Sequence, residues 1–182
     1  MPRRRLKPAA CVTLATMKYL ITCLALAFVA LNASAQTLWR GAPMNASPAD
    51  IRLLMPEVQD TSPAQRAQDS SALLQIPSTL IANEDFAVTY HFEADRLKRI
   101  DLQAKVPTPA RTKALLQALQ VTLRTSYGLP IGSKSRQDTN ALPGSVDLRW
   151  AFRRMTVQLQ MVDGTTVSLI YTNNIPRRPA AL

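Results

Sequence analysis

The chain has 182 residues, with 22 lysines and arginines against 12 carboxylates and a formal net charge of +10. Its one histidine cannot build a zinc site without cysteines or several carboxylates, and its two cysteines both fall within the first 35 residues. It also lacks a glycine-rich phosphate loop, a nucleophile elbow and a calcium-loop spacing. No metal, cofactor or catalytic set is therefore expected.

The first 35 residues read as a secretory signal peptide. Arg3, Arg4, Arg5, Lys7 and Lys18 supply positive charge, Tyr19 to Leu31 is uninterrupted and apolar, and Ala33-Ser34-Ala35 offers a cleavage site. This apolar run of 13 residues is short for a bilayer span, which needs ~20. Gln36 is the expected new N-terminus. A retained anchor is the minority reading, and Met17 is an alternative start because Met17-Lys18 and the run form a complete signal alone. Cleavage removes Cys11 and Cys23 along with five basic residues. The remaining 147 residues, with 17 basic against 12 acidic, carry +5 and no disulfide. A periplasmic location is expected, with stability supplied by one core of ordinary size and no transmembrane segment after cleavage. The basic balance suits another envelope protein or an anionic lipid surface as partner; export argues against nucleic acid.

Ser47-Pro48-Ala49-Asp50 starts a helix: serine caps the free amides, proline fits the first turn, and aspartate complements the positive end of the dipole. Ile51, Leu54 and Met55 are its expected apolar face, and Pro56 ends it. Gln59 to Ser71 is polar and unpatterned and reads as a loop. Leu73 to Ala82, broken by Pro77, reads as an edge strand.

Phe86, Val88, Tyr90 and Phe92 alternate with polar or small residues, the pattern of a strand with one buried face. Ile100 and Leu102 continue it on a second strand. Paired residues of an antiparallel hairpin share a face, so even-numbered partners require an odd-length loop. A loop of Glu93-Ala94-Asp95 would pair Val88 with Ile100 and Phe86 with Leu102.

Thr108-Pro109 opens a longer helix, with Leu116, Leu119, Leu123 and Tyr127 on one stripe, Gly128 as its cap and Pro130 as its stop. Ile131 to Gly144 reads as a loop. Val146, Leu148 and Trp150, then Met155 to Met161, then Val167, Leu169 and Tyr171 alternate as three further strands. Asp163-Gly164 as a two-residue turn would set Leu159 against Ser168; a three-residue loop at Val162-Asp163-Gly164 keeps the apolar face intact. With these registers the two hairpins superpose at an offset of 69 residues. The expected fold is α+β: two tandem α-β-β-β units, 36–106 and 107–182, in one compact domain. Its antiparallel sheet has two helices packed on one face.

Several short motifs carry a resemblance. Trp39-Arg40-Gly41 with Met44 and Ser47-Pro48-Ala49-Asp50-Ile51-Arg52, the helix ending Tyr127-Gly128-Leu129-Pro130, and Phe92-Glu93-Ala94-Asp95-Arg96-Leu97 are of the kind found in proteins of the BamE/SmpA–OmlA fold. Together with Leu169-Ile170-Tyr171 they make the chain similar to small proteobacterial envelope proteins with tandem units, related in shape to the β-lactamase-inhibitor-protein fold. The resemblance implies a non-catalytic periplasmic binding or envelope-accessory protein, with an inhibitor or sequestering protein for a secreted enzyme as the alternative. The assembly-factor members carry one unit and a lipid anchor, whereas Thr22 before Cys23 makes a poor lipidation site here.

A hydrolase is the least favoured reading. It would draw on Glu84/Asp85 and Glu93/Asp95, which are equally expected as turn carboxylates. His91 falls on the polar face of its strand. In the expected register it shares that face with Arg99, Gln158 and Gln160, and with Arg154 at the nearby turn these form the candidate partner-binding face.

Overall fold

The computed structural model describes residues 37–133 and 146–174. The expected export signal, the stretch 134–145 and the basic tail at Arg177-Arg178 lie outside the described residues. Among the described residues the core runs from Leu38 to Tyr171.

The fold is α+β, with one antiparallel sheet. Among the described residues the helices are α1 (Pro48–Leu54), α2 (Pro63–Gln68) and α3 (Pro109–Tyr127). Six long strands carry the sheet: β2 (Ala72–Ile81), β3 (Glu84–Glu93), β4 (Arg96–Lys105), β6 (Val146–Phe152), β7 (Met155–Val162) and β8 (Thr166–Asn173). The two-residue strands β1 (Gln59–Asp60) and β5 (Gly132–Ser133) lie at its edges. The order is β1-β2-β3-β4-β8-β7-β6-β5, so two meanders meet where β4 pairs with β8. This sheet is larger than the six-stranded one expected.

The helix ends form as the local chemistry dictates. The Ser47 hydroxyl accepts from the Asp50 amide while the Asp50 carboxylate accepts from the Ser47 amide, a reciprocal capping box. Leu54, expected on the buried face of α1, is exposed; Ile51 and Met55 carry the contact. In α3 the stripe extends to Thr112, Leu115, Leu116, Leu119 and Leu123, all buried. Gly128 closes α3 at φ 83°, ψ −152°, a backbone region essentially confined to glycine.

Both hairpins keep the expected face but slip along it. The β3–β4 turn is the two-residue Ala94-Asp95, both with positive φ, and Glu93 pairs with Arg96. The parity conflict that a two-residue turn creates is absorbed by a bulge: Phe92 pairs with Leu97, Lys98 is left over, and His91 pairs with Arg99. Val88 therefore faces Leu102, and Tyr90 faces Ile100. In the β7–β8 hairpin the loop has the expected three residues but is Asp163-Gly164-Thr165, so Leu159 faces Leu169 and Val157 faces Tyr171.

The segment read as a loop, Gln59 to Ser71, holds β1 and α2. Ser62 caps α2 at the Gln65 amide, and none of its residues is buried. With no apolar stripe there was no periodicity to mark it.

Helices α1 and α3 lie on the apolar side of the sheet, where Phe86, Val88, Tyr90, Ile100, Leu102, Trp150, Val157 and Leu159 are fully buried. Trp39 packs against this core, half-buried under the Arg40 guanidinium. The segment before α1 is sewn to β4, the Leu97 amide donating to the Ala46 carbonyl at 2.9 Å. No helix among the described residues is long and apolar enough to cross a membrane.

Candidate functional site

Because side chains alternate across a strand, the side of the sheet away from α1 and α3 collects the complementary set of residues. Across β3, β4, β8, β7 and β6 one row reads His91, Arg99, Thr172, Thr156 and Ala151. The next reads Thr89, Asp101, Ile170, Gln158 and Arg149, and a third Ala87, Gln103, Ser168, Gln160 and Asp147. Hydroxyls and amides dominate the centre, where Thr156, Gln158, Gln160, Ser168 and Thr172 are half-exposed. Gln158 donates to Asp147 at 2.8 Å across the strand pair. Toward the far end of β3 and β4, a groove of about 430 Å³ is lined by Pro77, Asp85, Ala87, Gln103, Lys105 and Thr166.

Four of the five candidate residues, His91, Arg99, Gln158 and Gln160, share this face. Arg154 is exposed in the β6–β7 turn at its end, where its carbonyl accepts from the Asn174 amide. His91 differs from the others: it is only 7 % exposed, because the chain between α2 and β2 folds over it.

That covering makes a compact charged cluster. His91 Nδ1 lies 3.1 Å from Asp69 Oδ2 and Nε2 lies 3.2 Å from Asp101 Oδ2. Ser71 Oγ is 3.1 Å from Nδ1. The Arg99 Nη2 atom stands 3.4 Å from both ring nitrogens, which places it against the ring. Arg99 Nε and Asp101 Oδ1 are 2.9 Å apart, a charge contact without hydrogen-bond alignment. The Asp69 carboxyl is held below the usual carboxylate range, first by the Ser71 hydroxyl and amide, then by the charges of His91 and Arg99.

Serine, histidine and aspartate in contact invite comparison with a nucleophilic triad, but the proton directions differ. The Ser71 hydroxyl donates to Asp69 Oδ1 at 2.6 Å, so its proton is directed to the carboxylate and not to the ring. In a triad the serine gives its proton to the ring. This cluster is a structural tie between a connecting segment and the sheet.

The turn carboxylates are likewise engaged. Glu84 receives Arg111 at 2.8 Å and 2.9 Å, and Asp85 accepts from Ser78 at 2.8 Å. As strand neighbours, Glu84 and Asp85 point to opposite sides of the sheet; Glu93 and Asp95 lie at the other end of β3. Among the described residues no group of three or more histidine, cysteine and acidic side chains could hold a metal.

The sequence reading missed Asp69, Ser71 and Asp101. Asp101 could have been found from register, since it shares the polar face of β4 with Arg99. Asp69 and Ser71 lie where no pattern locates the backbone. Comparison with family models, with curated proteins and with solved structures gives no match.

Proposed function

We propose that the chain is an exported, non-catalytic binding protein of the bacterial envelope, built from two α-β-β-β units and engaging another envelope protein through the polar face of its sheet. The observation that carries this reading is the face itself. Half-exposed hydroxyls and amides spread over β8 and β7, with Gln103 exposed on β4, while both helices with buried faces sit on the opposite side. A sheet of this kind normally solvates one side; its breadth and hydrogen-bonding content also suit a polar protein interface.

The duplication, and with it the resemblance to tandem BamE-like units, is supported by register. Val88 pairs with Leu102 and Val157 with Tyr171, and each residue of the second pair lies 69 positions after its counterpart. The same holds for Tyr90 with Ile100 against Leu159 with Leu169. Strand order runs outward from the β4–β8 seam in the same sequence on both sides, and each half opens with a proline-primed helix.

The test is photocrosslinking in cells from residues replaced one at a time at Gln158, Gln160 and Thr172, with Gln117 on the exposed side of α3 as control. Adducts from the sheet positions alone are expected; equal yields from Gln117, or none from the sheet, would overturn the reading. The alternative, an inhibitor of a secreted enzyme, draws on the same open face. It is separated by titrating purified secreted hydrolases and reading residual activity.

A further inference from the structure

The strap from Thr61 to Ser71 is held to the sheet by few contacts. At its base the Thr61 hydroxyl donates to the Ala72 carbonyl and its amide to that of Leu73. Along α2, no residue is buried, and its side-chain contacts to the sheet are Gln65 to Thr89 at 3.4 Å and Arg66 to Asp60 of β1 at 3.5 Å. The other attachments are the Ser71 carbonyl, which accepts from the Phe92 amide at 2.8 Å, and the His91 cluster. A segment with so little buried contact opens locally at low free-energy cost, so the charge of the cluster contributes to how long it stays down.

The cluster is protonation-dependent by construction. Neutral imidazole has one N–H and one acceptor nitrogen, yet both ring nitrogens of His91 face carboxylate oxygens. Both contacts are ion pairs only when the ring carries two protons. The charged groups facing it are Asp69 from the strap and Arg99 and Asp101 from β4; the nearest uncharged polar group is Ser71. Two carboxylates, one guanidinium and one imidazolium balance to zero, whereas a neutral ring leaves one negative charge in excess and one nitrogen lone pair facing a carboxylate.

We propose that Thr61–Ser71 is a pH-gated strap over the polar sheet face, clasped while His91 is doubly protonated and released when the ring becomes neutral. Release uncovers His91 and Thr89 and extends the polar face toward β3. The clasp follows from this geometry and does not depend on the binding role proposed above.

The experiment is amide hydrogen exchange on the full chain between about pH 5 and about pH 8, the range in which imidazole changes charge, corrected for the intrinsic pH dependence of exchange. Protection of residues 62–71 relative to β3 and β4 is expected to fall about threefold or more across this range, as the ion pair between His91 and Asp69 is lost. Asp69→Asn keeps an acceptor for Ser71 but removes the charge that His91 meets, and His91→Gln removes the titrating ring; both should flatten the profile. A relative protection that stays constant with pH in the parent chain overturns the proposal, as does a pH step that persists in Asp69→Asn. Should His91→Gln fail to fold, the parent chain and Asp69→Asn decide the matter.

Discussion

The Trp150 indole donates to the Gly128 carbonyl at 3.0 Å, tying the middle of β6 to the point where α3 ends. This bond fixes the helix terminus against the sheet, because Trp150 is fully buried and cannot shift. Trp150→Phe keeps an aromatic ring but strands that carbonyl and leaves a small void. The expected cost is about 2 to 4 kcal/mol, read as a lower urea midpoint with an unchanged slope.

Gly128 itself supplies the next prediction. A Cβ there would meet nothing within 4 Å, so any penalty of Gly128→Ala is conformational rather than steric crowding. Its φ of 83° and ψ of −152° put that penalty at about 1 to 3 kcal/mol. Gly164→Asn, at φ 67° in a turn where asparagine is tolerated, should cost well under half as much. Thermal melts of the two variants give the comparison.

Two carboxyls make the fold acid-sensitive. The Ser47 amide and hydroxyl hold Asp50 below the usual carboxylate range, and those of Ser71 do the same for Asp69. A carboxyl lowered in the folded state binds protons more weakly there than in the unfolded chain. Its stabilisation is complete near neutrality and disappears as pH falls through the folded value. The melting temperature should therefore decline in acid. Ser47→Ala and Ser71→Ala should each shallow that decline, because each removes one of the lowering bonds.

Tyrosine gives the opposite edge. From Gln36 onwards there are three tyrosines, Tyr90, Tyr127 and Tyr171, and burial raises all three phenols above their ordinary range. The folded state keeps these protons longer than the unfolded chain does, so their contribution is present below about pH 10 and lost as pH rises toward the folded values. Ultraviolet titration of the chain from Gln36 should show no ordinary phenolate step before structure is lost. A normal step in the native protein would contradict the packing of these rings.

Much of the sheet was legible because alternation is a direct imprint of burial. Phe86, Val88, Tyr90 and Phe92 could be assigned to one side of a strand from their spacing alone, and all four are buried. Turn positions were less secure. Parity correctly rejected a two-residue loop at Asp163-Gly164, but it failed at Ala94-Asp95. There a bulge at Lys98 restored the face, and a bulge leaves no mark in alternation until Leu97 is seen to be buried. The polar face was legible as a set of residues, not as a site. His91 read as solvent-facing because its strand neighbours are, and its covering comes from a segment whose position depends on tertiary contacts. Helix α2, with no buried residue, has no stripe to read.

The seam between β4 and β8 sets the order in which the molecule can be completed. The β2–β3–β4 meander closes through local pairings, but its β4 edge, with Ile100 paired to Tyr171 and Leu102 to Leu169, waits for the last strand among the described residues. Such long-range pairings are slow to form, and an unsatisfied strand edge recruits other chains. A ribosome that has released only the first hundred or so residues therefore presents an adhesive half-sheet. Delivery of β8 ends that exposure, which makes the interval before it the period in which a chaperone has most to protect.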